Sequence, residues 1–89
     1  MSVIMLKGYN SDISVGGIHY HIQTEDWGDD NPFLVSHIFR NGAVLKSVKT
    51  PYSEVLPKAV SSKERSIRLA MKVQHESILD LLVSGQVLR

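Results

Sequence analysis

The dipeptide Asn41-Gly42 follows the apolar run Phe33 to Phe39 and precedes Ala43-Val44-Leu45. Asn-Gly tolerates positive φ at both central positions of a two-residue turn, and the twist of that turn suits a β-hairpin. The middle of the chain is therefore committed to an antiparallel hairpin. A regular ladder from this turn sets Arg40 against Ala43, Phe39 against Val44, His37 against Lys46 and Val35 against Val48. One face then carries Phe33, Val35, His37, Phe39, Val44, Lys46 and Val48. The other carries Leu34, Ser36, Ile38, Leu45, Ser47 and Lys49. Both faces are partly apolar. A helix on one face, with a second subunit or the N-terminal segment on part of the other, accounts for that; a one-residue slip in register would exchange the faces.

A second turn signal, Gly16-Gly17, lies upstream and sets Val15 against Ile18 and Ile13 against Tyr20. Along the following strand Ile18, Tyr20, Ile22 and Thr24 share one face, expected in the core, and His19, His21, Gln23 and Glu25 share the other. Val3 to Leu6 reads as a short first strand or a pairing arm, and Gly8 to Asp12 as turn-forming. Asp26 to Pro32 reads as a loop, as does Ser53 to Val60 with Pro57, with room for one helical turn. Ser61-Ser62-Lys63-Glu64 has capping-box spacing, with Ser61 as the cap. The helix it opens runs to about Ser84, and Gly85 suits a left-handed residue after its end. Ile67, Ala70, Met71, Gln74, Ile78, Leu81 and Leu82 form its apolar stripe, with His75 at the border. Leu69, Val73, Leu79 and Val83 fall outside the stripe and suggest a second contact surface. The expected architecture is α+β: an antiparallel meander of four to five strands within about residues 3–50, and one long C-terminal helix over about 62–84 packed on it. Residues 1–89 form a single small domain.

The length of 89 residues limits the core, since a chain this short buries about 60–65% of its unfolded surface. With no cysteine, neither disulfide nor thiolate chemistry contributes. Small domains without such staples often gain stability by oligomerising, so a homodimer is expected. A net charge of +1, with Lys and Arg scattered, argues against a phosphate-tracking surface and hence against nucleic acid. No run is long enough to span a membrane, and Met1 to Leu6 is too short for a signal-peptide core, which leads to a cytoplasmic expectation.

Four constellations bear on chemistry. His19 and His21 project from one strand face with Glu25, a pattern that serves zinc, or a metal-dependent enzyme, only where further ligands converge. Glu25, Asp26, Asp29 and Asp30 surround Trp27 and Gly28 without the spacing of a calcium loop. Local turn bonds are their simplest role; Trp27 either folds onto the core or anchors an interface. Gln74-His75 on the helix reads as a polar pair that fixes its register against the sheet. Asp12, Ser14 and Gly17 resemble the Asp/Asn-x-Ser-x-x-Gly motif of PilZ domains, which bind cyclic di-GMP; the upstream Arg-x-x-x-Arg of that family is missing, and only Lys7 is basic before Asp12.

A broader resemblance covers about Gly8 to Gly85. Gly8-Tyr9-Asn10, Tyr20-His21-Ile22-Gln23-Thr24-Glu25-Asp26-Trp27-Gly28, Asn31-Pro32, Lys49-Thr50-Pro51-Tyr52 and Met71-Lys72-Val73-Gln74-His75 resemble the pattern of a family of small bacterial proteins. That family tends to have Ser at the position of Pro51. Asp12 and Ser14 are not part of its pattern, which weighs against the PilZ reading, and the resemblance implies no activity. The resulting expectation is a non-catalytic protein-interaction or adaptor module in bacterial cytoplasmic regulation or assembly. His19, His21, Gln23, Glu25 and Trp27 are the expected partner-binding residues. Leu69 and Val73 are expected at an oligomer interface; no catalytic residue, metal or cofactor is expected.

Overall fold

The computed structural model describes residues 7–58 and 62–85. Four strands form one antiparallel sheet in sequence order: β1 (Tyr9–Val15), β2 (Ile18–Asp26), β3 (Phe33–Arg40) and β4 (Ala43–Pro51). A one-turn helix α1 (Tyr52–Val55) follows, then the long helix α2 (Lys63–Ser84). This is the α+β meander with a C-terminal helix that the turn signals require. The proposed strand or arm at Val3 to Leu6 lies outside the described residues.

The first hairpin pairs Val15 with Ile18 and Ile13 with Tyr20, as expected. The segment read as turn-forming is instead the start of β1, which pairs Tyr9 with Thr24 and Asp12 with His21. Gly8 permits this close entry: a Cβ there would lie 1.8 Å from the Thr24 carbonyl oxygen. Only glycine lets two backbones approach so closely.

The second hairpin begins in the expected register, Arg40 with Ala43 and Phe39 with Val44. Asn41 and Gly42 adopt φ of 50° and 88°, as the two-residue turn needs. The ladder then shifts. Ile38 pairs with Lys46, His37 with Ser47 and Val35 with Lys49, so Leu45 is the extra residue of a β-bulge. The regular pairings of His37 with Lys46 and Val35 with Val48 are thereby corrected. Lys46, Val48 and Thr50 now share a face with Ile38, Ser36 and Leu34, and Ser47 and Lys49 join His37 and Val35 on the other.

Helix α2 covers the face that carries Tyr20, Ile22, Thr24, Leu34, Ser36 and Ile38, and contacts β1, β2 and β3. Ile78 and Leu82 pack with Tyr20, Ile22 and Ile38 toward the hairpin end. Ile67 and Met71 pack with Leu34 and Tyr52 toward the other end. The buried side of α2 is Ile67, Met71, His75, Ile78 and Leu82, a spacing of four, four, three and four. His75 thus replaces Leu81 in the stripe read from the sequence: Leu81 is exposed, Gln74 and Ala70 are half-buried, and Leu79 packs against the core rather than outside it. The helix is capped by Ser62, whose hydroxyl accepts from Arg65 N–H at 3.2 Å. Ser61, the expected cap, lies outside the described residues. Gly85 ends the helix in the left-handed conformation.

Candidate functional site

β2 alternates so sharply that its two sides form separate sites. Its inward side builds a polar line through the core. Thr24 Oγ1 lies 2.7 Å from His75 Nδ1 and 2.7 Å from Ser36 Oγ. Gln74 Nε2 donates to Ser36 Oγ at 2.8 Å, and His75 Nε2 lies 2.8 Å from Ser11 Oγ. One assignment satisfies every group. The Gln74 amide donates to Ser36, Ser36 to Thr24 and Thr24 to Nδ1, while the protonated Nε2 donates to Ser11. Ser36 and Thr24 then each accept once and donate once, Ser11 accepts, and the imidazole is neutral. Burial pushes the His75 pKa below its ordinary value, which favours the same neutral form. This is the helix-to-sheet lock expected of Gln74-His75, with His75 more deeply buried than its border position indicated.

The inward side continues to Asp26, which closes β2 rather than opening the acidic loop. Its carboxylate accepts from the Gly28 backbone N–H at 3.0 Å and from the Tyr52 hydroxyl. Burial, and then the neighbouring Asp26, raise the Tyr52 pKa well above its usual value, so the phenol keeps its proton and remains a donor. Asp29 accepts from Lys63 Nζ at 2.6 Å and ties the loop to the start of α2. The acidic cluster is therefore divided: Asp26 supports the turn from inside, Asp29 pairs with a lysine, and Glu25 lies on the opposite face.

The outward side of β2 belongs to the sheet face that α2 leaves uncovered. His21 Nδ1 lies 3.0 Å, and His19 Nε2 3.2 Å, from the same Asp12 oxygen on β1. The hydrogen bond from His21 comes first, with the two imidazoles' charge behind it, in holding the Asp12 carboxyl below the usual carboxylate range. His21 and His37 both stand against the Phe39 ring, at centroid distances of 5.8 and 6.2 Å. The Trp27 indole N–H donates to Glu25 at 3.2 Å, and Lys49 Nζ sits 4.9 Å from the Trp27 ring centre and 4.2 Å from that of Phe33. Trp27 thus joins this face. The expected recognition residues His19, His21, Gln23, Glu25 and Trp27 all lie on one surface, but His19 and His21 converge on Asp12 and not on Glu25. Among the described residues no cluster of three or more His, Asp, Glu or Cys could hold a metal ion. Of the PilZ-like triplet, Asp12 is taken up by the two histidines, Ser14 pairs with His19, and Gly17 lies in the hairpin turn.

A third surface was only half legible. Between α2 and β4 runs a groove of about 610 Å3, with Val48 and Thr50 as floor and Val55 and Pro57 at one end. The helix wall is Ser66, Leu69, Ala70, Val73, Ser77 and Leu81. Leu69 and Val73, the expected oligomer contacts, stand 61% and 57% exposed on its rim. No lining residue is charged. The opposite flank of α2 carries Arg65, Arg68, Lys72 and Glu76, all exposed. The floor could not be read from the sequence, because only the bulge at Leu45 turns Val48 toward the helix.

No family model, curated protein or solved structure matches this chain. Among the described residues no helix is long and apolar enough to cross a membrane.

Proposed function

We propose that this chain is a non-catalytic protein-interaction module that works as a homodimer and offers the uncovered sheet face to a further protein. The observation that carries the reading is the charge-free groove beside α2, with exposed Leu69, Val73 and Leu81 around it. A contiguous apolar patch with a charged flank opposite is the mark of a surface that another macromolecule covers. The recognition surface is His19, His21, Gln23, Glu25 and Trp27, held on paired strands whose rigidity pre-sets their positions. The setting we propose is bacterial cytoplasmic regulation or assembly. Affinity capture from the native host tests the recognition surface: the wild-type chain retains a partner that His21→Ala and Trp27→Ala lose, while both variants melt as cooperatively as the wild type. Retention by both variants would overturn the assignment of this surface.

A further inference from the structure

A sheet of four strands is about 14 Å between the axes of its outer strands, and a helix with its side chains is about 10 Å across. Such a sheet accommodates two helices side by side. Here α2 lies over β1, β2 and β3, and the place for a second helix, over β4, is the groove. Ser66 to Leu81 along its wall would span about 22 Å at the helical rise.

The same chain presents the matching ridge. Leu69 and Val73 project from the side of α2 away from its own sheet, and the flank between ridge and sheet carries the small residues Ser66, Ala70 and Ser77. A ridge and a groove on one molecule are self-complementary, which is what a twofold interface requires. The edge of β4 is a poorer route to self-association. The Leu45 bulge, Lys46, Lys49 and the terminal Pro51 are features that discourage strand-to-strand pairing.

We infer that the groove is filled by α2 of a second copy of this chain, with the twofold axis parallel to the helices. The inference rests on the homodimeric reading above and gives that dimer its geometry. Only a twofold along α2 sets the two helices side by side in one layer with a sheet on each side. A twofold perpendicular to the sheets would drive one sheet into the other, and one across the helices would stack them and leave both grooves open. In the parallel arrangement equal residue numbers lie at equal heights, and Ser66, Ala70 and Ser77 let the helices approach closely. Leu69 then descends on the partner's Thr50 and Val73 on the partner's Val48. The heights agree because His75 meets Thr24, which lies in line with Ser36 and Val48, and Met71 meets the Leu34 cluster, in line with Thr50. Two turns further on, Asp80 comes over the partner's Lys46, which is paired with Ile38 under Ile78. An acidic group meets a basic one at the end of an otherwise uncharged interface.

The absence of native cysteine makes the test direct. Ala70→Cys and Ser77→Cys are prepared separately, with Ser14→Cys on the uncovered face as control, and each is treated with a short bis-maleimide. Both helix variants become covalent dimers and the control does not, since a parallel pair brings each position to its own copy and an antiparallel pair serves at most one. Asp80→Lys weakens dimerisation about tenfold, equivalent to about 1.4 kcal/mol, and Lys46→Asp in the same chain restores it. Sedimentation of the wild type separates the ways of failing. A monomer at high micromolar concentration overturns both the homodimer and this geometry, even if the groove takes an unrelated helix. A dimer that cross-links through Ser47→Cys on β4, and not through position 70 or 77, keeps the homodimer and overturns the helix pair.

Discussion

His75 and His21 both bond to side chains on the sheet, yet they lie on opposite faces of it and do opposite work. His75 is 4% exposed, both ring nitrogens are engaged, and its neighbours Thr24, Ser36, Gln74 and Ser11 form a closed chain of donors and acceptors. In a low-dielectric interior such a network is costly to break, because every deletion leaves a partner unsatisfied. His21 is half-buried against Phe39 at the open face, shares the exposed Asp12 carboxylate with His19, and can exchange that bond for water at little cost. The chemistry of the residue is the same; burial decides whether it is a structural lock or an available contact.

The contrast breaks most visibly at His75. His75→Ala empties a core site and orphans Thr24 and Ser11, so unfolding in urea should show a loss of about 3 kcal/mol, a large share of the stability of a domain this small. A loss below about 1 kcal/mol would mean that the network is replaced by water.

Acid sharpens the same contrast. The His75 pKa is depressed in the folded state, so its contribution to stability is fully present above its unfolded value of 6.5 and is lost as pH falls below that. Protonation at Nδ1 would turn Thr24 into an acceptor and reverse the line until Ser36 faces the Gln74 amide donor. Asp12, also depressed, loses its contribution only below its ordinary value of 3.8. Thermal melts should therefore begin to fall below about pH 6.5, and that upper step should vanish in His75→Gln while the lower acid step remains. A wild-type melting temperature that is flat between neutrality and pH 5 would contradict the neutral, locked imidazole.

The smallest effect belongs to His21. His21→Ala should change stability by no more than about 0.5 kcal/mol by the same urea titration. A loss comparable to that at position 75 would make His21 a structural residue and remove it from the proposed recognition surface.

Much of this architecture could be read along the chain. The Gly16-Gly17 and Asn41-Gly42 turns, the alternation from Ile18 to Glu25 and the span of the final helix follow from backbone geometry and neighbours a few residues away. The face that α2 leaves uncovered was legible for the same reason, since period-two alternation sends His19, His21, Gln23 and Glu25 to one side. The groove was not, because its floor depends on one extra residue at Leu45. A regular ladder from Asn41-Gly42 turns Val48 the other way, and nothing in the local pattern signals the bulge.

The sequence by itself thus determined the order of the strands and the helix, though not the start of β1, through interactions that act over short stretches. Tertiary structure decided how those elements are turned against one another. It placed His75 inside and Leu81 outside, because His75 can satisfy both nitrogens on Thr24 and Ser11, 51 and 64 residues away, and leucine can use neither. It took Asp26 out of the acidic loop, because the Tyr52 hydroxyl and the Gly28 N–H meet its carboxylate beneath the turn. Such choices depend on hydrogen-bond partners that only the folded chain brings together, and no local period encodes them.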